Sequence, residues 1–322
     1  MPNRVDFHQH YFTDFALEAL AASAISENGW IMPPENLPWT PELALAFMDR
    51  LGISTTILSL TGSPGGNGVG EANRAFARRL NLGMHQVVTK HPDRFGFFAN
   101  IPIPSDTDAA LAEIAFALDE LNADGVNLTS SYGTGPKARY VADDSFDPVW
   151  EELNRRGTIV ILHGDQTPNS NHYPSPFLPL PVSEVPNETF KAAAHLVTSG
   201  KKRRFADVKI ILTHAGGSTP VLASRVAVLS PHQGCELTPD EIIEDFRSFY
   251  YDTALAGFDV TLEALEALVP PDRIVFGSDF PAVSLDMANW YTQRCDEYFA
   301  DRPGELEQVM HENALTLLPH LG

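Results

Sequence analysis

Cysteine is scarce in this chain. Two residues, Cys235 and Cys295, stand in 322, too few for a disulfide framework or a thiolate metal cluster. Basic residues are also few. There are 22 Lys and Arg against 42 Asp and Glu, for a formal net charge of −20. That balance argues against a nucleic-acid partner, which needs clustered cations for phosphate. The one basic run, Lys201-Lys202-Arg203-Arg204, ends an expected helix and is read there as complementing the helix dipole. No apolar run reaches the roughly 18 residues of a membrane span, and the opening MPNRVDFHQH has no basic region followed by an apolar stretch. The expectation is a cytoplasmic protein with no membrane partner.

Hydrophobic residues make up 43% of the sequence, enough for a large core. Short apolar runs alternate with longer amphipathic ones. Strands are expected at 4–10, 54–60, 94–101, 125–130, 158–164, 209–216, 249–255 and 273–279. Helices are expected at 41–51, 71–91, 106–121, 146–156, 188–202, 219–229 with 239–247, 260–268 and 305–318. Strand–helix alternation implies parallel βαβ units. Eight of them fit a (β/α)8 barrel, one domain over 1–322; an eight-stranded doubly wound sheet is the alternative. Two long loops, at about 11–40 and 165–187, leave C-terminal strand ends, the face on which barrels build their sites. The alternative for both is a surface excursion or a subunit contact.

Strand ends carry ligand-type residues. The first ends His8-Gln9-His10, the fifth in His163, the sixth in His214 and the eighth in Asp279. A lone His-x-His is weak evidence, because a histidine at a strand end is often a hydrogen-bonded core residue. Five such residues converging on one barrel mouth form a catalytic-type metal site. Imidazole and carboxylate together suit a borderline divalent ion, zinc or manganese.

The segments DFHQH (6–10), ADGVNL (123–128), ILHG (161–164), ILTHAGG (211–217), FGSDFP (276–281) and ENALTLLP (312–319) resemble the amidohydrolase superfamily, in the branch called amidohydrolase family 2, and span nearly the whole chain. The resemblance implies a barrel with His8, His10, His163 and Asp279 as metal ligands and His214 as acid/base beside the ion. Binuclear superfamily members carry a carboxylated lysine at the end of strand four. Here that stretch reads GVNLTSSYG and the nearest lysine is Lys137, which implies a single ion.

Within the branch the chain is similar to non-oxidative decarboxylases of the aminocarboxymuconate-semialdehyde and aromatic-acid types. HQHYFT and LTHAGGSTPVLASRV are closest to fungal 6-methylsalicylate decarboxylases. The resemblance implies decarboxylation of a small 2-hydroxybenzoic acid chelated through carboxylate and phenolic oxygens, with His214 or Asp279 delivering the proton. It also implies a homodimer in which Arg225, eleven residues after His214, reaches substrate across subunits. A hydrolase using the same ligands on a lactone or amide is the rival. The loop aromatics Tyr11, Phe12, Trp30, Trp39, Tyr173, Phe177 and Phe280 are expected to enclose the ring, with Phe12 and Phe280 touching it; for any one of them simple packing is the alternative.

Overall fold

The structure is a computed structural model and describes residues 3–21, 28–61, 68–133, 138–165, 175 and 177–322. Eight parallel strands form one sheet in sequential order: β1 (Arg4–His10), β2 (Ile53–Ser59), β3 (Phe95–Asn100), β4 (Gly125–Thr129), β5 (Ile159–His163), β6 (Lys209–Leu212), β7 (Tyr250–Asp252) and β8 (Ile274–Val275). The sheet closes on itself. Phe7 N–H donates to Phe276 O, His10 N–H to Phe280 O and Asp279 N–H to His8 O, and Gln9 bridges Phe280 in parallel. An open doubly wound sheet is thereby excluded. The strands read as near-continuous apolar runs because a parallel barrel buries both their faces.

The helices are α1 (Asp14–Ala21), α2 (Pro41–Leu51), α3 (Glu71–Lys90), α4 (Thr107–Asp119), α5 (Asp147–Arg156), α6 (Leu180–Thr198), α7 (Lys201–Arg204), α8 (Thr219–His232), α9 (Pro239–Arg247), α10 (Asp259–Leu268) and α11 (Leu285–Tyr298). Short helical segments over 303–321 end the chain. Their Leu317 and Leu318 pack with Val5, Phe7, Ile57, Phe98, Ile161 and Ile211 to plug the lower barrel.

Four expectations need correcting. The loop at 11–40 contains α1. The loop at 165–187 is shorter, because α6 starts at Leu180: Pro181 stands in its first turn, where no intrahelical N–H is required. Helix α11, after β8, is absent from the expected helices; Ser284 caps it, accepting from Met287 N. The basic run does not serve a helix dipole. Lys201 is buried and paired with Asp144 and Asp147, Arg203 binds Glu241 and Asp245, and Arg204 binds Asp147 and Glu151. No helix of the described residues is long and apolar enough to cross a membrane.

Candidate metal centre

The β1–β2 register shifts between Asp6 and Gln9. One extra residue there reverses the strand's alternation. Val5 and Phe7 therefore fill the lower core, while His8 and His10 look into the upper barrel. His8 Nε2 lies 3.2 Å from His10 Nε2. Asp279 Oδ1 lies 2.9 Å from His10 Nε2 and 3.4 Å from His8 Nε2. Ligand atoms of His8, His163 and His214 form a second group, all within 4.8 Å of one another. All five residues anticipated from the strand ends thus meet at one place, with His214 grouped with His8 and His163.

The donor set fits a metal ion. Three atoms bound to one ion at 2.0–2.2 Å stand about 3 to 3.5 Å apart, which is the separation found for His8, His10 and Asp279. The tautomers agree. His8 Nδ1 donates to Asp252 Oδ2 at 2.7 Å, and His163 Nδ1 donates to the Gly164 carbonyl at 2.7 Å. Each Nε2 is left with a lone pair turned inward. Lone pairs crowded in a buried space repel unless a cation lies between them.

The electrostatics call for positive charge at this place, which a proton on His8 supplies when no other cation does. Burial opposes a charge on His8, but the Asp252 and Asp279 carboxylates outweigh it and lift its pKa to about 9. Burial pushes His10 and His214 down, and His163 well down, with the neighbouring imidazoles adding to the effect. Burial would raise Asp279, yet His8 and the His10 hydrogen bond hold it far below the usual carboxylate range. The site is a fixed anion among mostly neutral imidazoles.

Two backbone positions carry strain at this centre. His214 has φ 55° and Asp279 φ 60°, the left-handed region, at roughly 1–3 kcal/mol for each non-glycine residue. Hydrogen bonds hold both: Asp252 Oδ1 accepts from His214 N at 2.8 Å, and His8 O accepts from Asp279 N at 2.8 Å. Gly217, at φ 60°, closes the same turn; a Cβ there would meet the Pro186 carbonyl at 1.9 Å. The second glycine of ILTHAGG thus lets α6 approach the site.

Sequence reasoning missed Asp252 and Asp6. Asp252, fully buried, joins His8 to the His214 backbone and also accepts from Ala254 N at 3.1 Å. Asp6, also fully buried, accepts from His8 N and Ser278 N at 3.0 Å each and from Ser278 Oγ at 2.6 Å, tying β1 to the β8 loop. Burial lifts its pKa to about 6 against those hydrogen bonds. The available signals were the acid inside DFHQH and the acid ending YYD.

A cavity of about 830 Å³ opens above the centre, with His10, His163, His214 and Asp279 among its lining. Of the loop aromatics, only Phe12 and Trp30 line it among the described residues. Phe12 sits 5.3 Å from the His10 ring. Phe280 does not line it: the left-handed turn at Asp279 sends this ring into the core, 4.3 Å from Phe47 on α2. Tyr11 and Trp39 pack on each other at 5.0 Å, Trp39 in the core. Phe177 is 86% exposed. Tyr173 and Lys137 lie outside the described residues. Arg225 is exposed on α8 and does not line the cavity within one chain.

Fold and donors together define a barrel enzyme scaffold with a candidate metal site at its mouth. The amidohydrolase family model matches residues 5–319, and the chain belongs to that family. It is 39% identical to the decarboxylase macB of Penicillium terrestre, over 98% of this chain and 95% of that protein. It is 38% identical to the 6-methylsalicylic acid decarboxylase acuB of Aspergillus aculeatus, over 99% of this chain and 96% of that protein. The crystal structure of a dihydroxybenzoic acid decarboxylase from Polaromonas sp. JS666, with bound manganese and 2-nitroresorcinol, superposes with a TM-score of 0.81 at 23% identity, covering 99% of this chain and 97% of the other.

Proposed function

We propose that the chain is a metal-dependent carboxy-lyase that decarboxylates a small 2-hydroxybenzoic acid without oxidation, turning 6-methylsalicylate into 3-methylphenol and carbon dioxide. The observation that carries this reading is the convergence of His8, His10 and Asp279 donor atoms within 3.4 Å at the floor of a largely apolar cavity. Full-length similarity of 38% to a 6-methylsalicylic acid decarboxylase supports the reaction class.

His8, His10, His163 and Asp279 would hold one divalent transition ion, Zn²⁺ or Mn²⁺ by the chemistry of the donors. When bound, the ion supplies a Lewis acid that chelates adjacent carboxylate and phenolic oxygens and withdraws charge from the ring. The protein's own groups do the rest. His214, neutral by virtue of its burial, would accept the proton of the substrate's ortho hydroxyl. It then delivers that proton to the ring carbon bearing the carboxylate. The bond to the carboxylate breaks, its electrons restore the aromatic ring, and carbon dioxide leaves. Asp279 is the rival donor, but its depressed pKa suits a ligand better than an acid. Phe12 and Trp30 line the cavity beside the site and would shield a bound ring from water.

The enzyme works as a homodimer on this reading. Arg225 makes no hydrogen bond or ion pair with any described residue of its own chain. It lies on a face of α8 where Val221 is 70% and Val228 67% exposed, a patch suited to a second copy. Metal-loaded protein should release carbon dioxide and 3-methylphenol from 6-methylsalicylate. Turnover of a lactone with oxygen-18 entering the product carboxylate, and no carbon dioxide from any hydroxybenzoate, would instead establish a hydrolase.

A further inference from the structure

The cavity is far larger than the substrate just proposed. At about 830 Å³ it lies in the range that encloses drug-sized ligands, whereas a benzoate ring with one methyl group is small. Its walls are chemically one-sided. Polar groups gather at the floor around His10, His163, His214 and Asp279. Away from the floor the lining carries aliphatic side chains, Leu17 and Leu20 from α1, Met32 before α2, Val182 and Val185 from α6 and Met287 from α11, among neutral polar ones such as Asn28, Asn187 and Thr261. Asp279 is the one carboxylate among the described lining residues, and no lysine or arginine lines the cavity there.

The walls are also pinned. Leu180 N donates to Asn28 O at 3.0 Å, Trp30 Nε1 to Ala282 O at 3.1 Å and Asn36 Nδ2 to Val283 O at 2.7 Å. These bonds tie the segment after α1 to the start of α6 and to the β8 loop. Backbone anchored from two sides holds the apolar space open.

We infer that this space is a subsite for an uncharged, apolar ring substituent. The substrate class is then an alkyl-2-hydroxybenzoate with one carboxylate, no second charge and room for a side chain longer than the methyl group of 6-methylsalicylate. This rests on the decarboxylase reading above and narrows it. A second carboxylate placed among Leu17, Leu20 and Met287 would lie against aliphatic surface with no lysine or arginine of the described lining to pair it. Each added methylene would leave water for aliphatic surface, a gain of about fourfold in affinity.

The test uses the full metal-loaded chain with two series, 6-alkyl and 4-alkyl salicylates carrying methyl, propyl and pentyl chains, and one chain-matched analogue ending in a carboxylate. Calorimetry gives Kd, and initial rates of carbon dioxide release give kcat/KM. In at least one series the propyl compound is expected to bind at least tenfold tighter than the methyl compound and to gain in kcat/KM, with the carboxylate-ended analogue losing the advantage. Leu20→Trp, or Met287→Trp should the first not fold, is expected to cost the pentyl compound at least tenfold, the methyl compound much less, and no metal. Binding that weakens with length in both series, while the methyl compound still releases carbon dioxide, overturns the subsite and leaves the decarboxylase standing. Absence of carbon dioxide from every compound overturns the reaction; tighter binding with length would then still identify the apolar subsite.

Discussion

Asp252 Oδ2 accepts a hydrogen bond from His8 Nδ1 at 2.7 Å, with both side chains fully buried. The other oxygen of Asp252 accepts from the backbone N–H groups of His214 and Ala254. One carboxylate thereby fixes the tautomer of a metal-ligand candidate and the position of the acid/base candidate. It stands at the end of β7, so three strands of the barrel are tied at this residue.

Asp252→Asn is the sharpest test of that link. Asparagine keeps an oxygen for the two backbone donors but turns an amide N–H toward His8 Nδ1. His8 then favours the other tautomer, with the proton on Nε2 where the ion would bind. Metal affinity is expected to fall about 10- to 100-fold, the scale for losing such an orienting partner, with little change in thermal stability. Asp252→Ala is expected also to destabilise, by roughly 1–3 kcal/mol for each donor left unpaired. An Asn variant with unchanged metal affinity would remove the orienting role.

Asp279→Ala is expected to lose metal and turnover together, since the variant removes the charged member of the donor group. Elemental analysis of the unaltered protein is expected to give close to one transition ion per chain. Two tightly held ions per chain would contradict the single-ion account.

His214→Asn is expected to keep its metal while turnover falls roughly a hundredfold or more, the contribution of general acid–base help. His214 lies within the donor cluster, so a variant that emerges metal-free would make it a ligand instead.

The architecture was legible in the sequence because its signal is redundant. Eight apolar runs alternate with helices, and the first strand matches its expected span of 4–10. The five strand-end residues were legible for the same reason: a barrel brings every C-terminal strand end to one mouth. What was hidden depends on local backbone. The bulge in β1 leaves no mark on composition. The left-handed turn at Asp279 sent Phe280 to Phe47 and not into the cavity. Prolines at 181 and 186 disguised the start of α6. Asp252 was passed over because an acid at a strand end says nothing by itself about which histidine it holds.

Arg225→Ala is expected to raise KM, or to weaken the dimer, with metal content unchanged. Sedimentation of the unaltered protein is expected to give twice the chain mass. A fully active monomer would rule out a crossing arginine.

The most direct test of the chelated hydroxybenzoate compares 6-methylsalicylate with 2-methylbenzoate, the same molecule without its ortho hydroxyl, on one preparation before and after chelation of the metal. Carbon dioxide and 3-methylphenol are expected from the first, lost on chelation and restored by added ion. A rate about 10⁴-fold lower, or none, is expected from the second, because a site built around a polar group rejects its absence strongly. Equal release from both acids, or release that survives removal of the ion, would contradict the chelation mechanism.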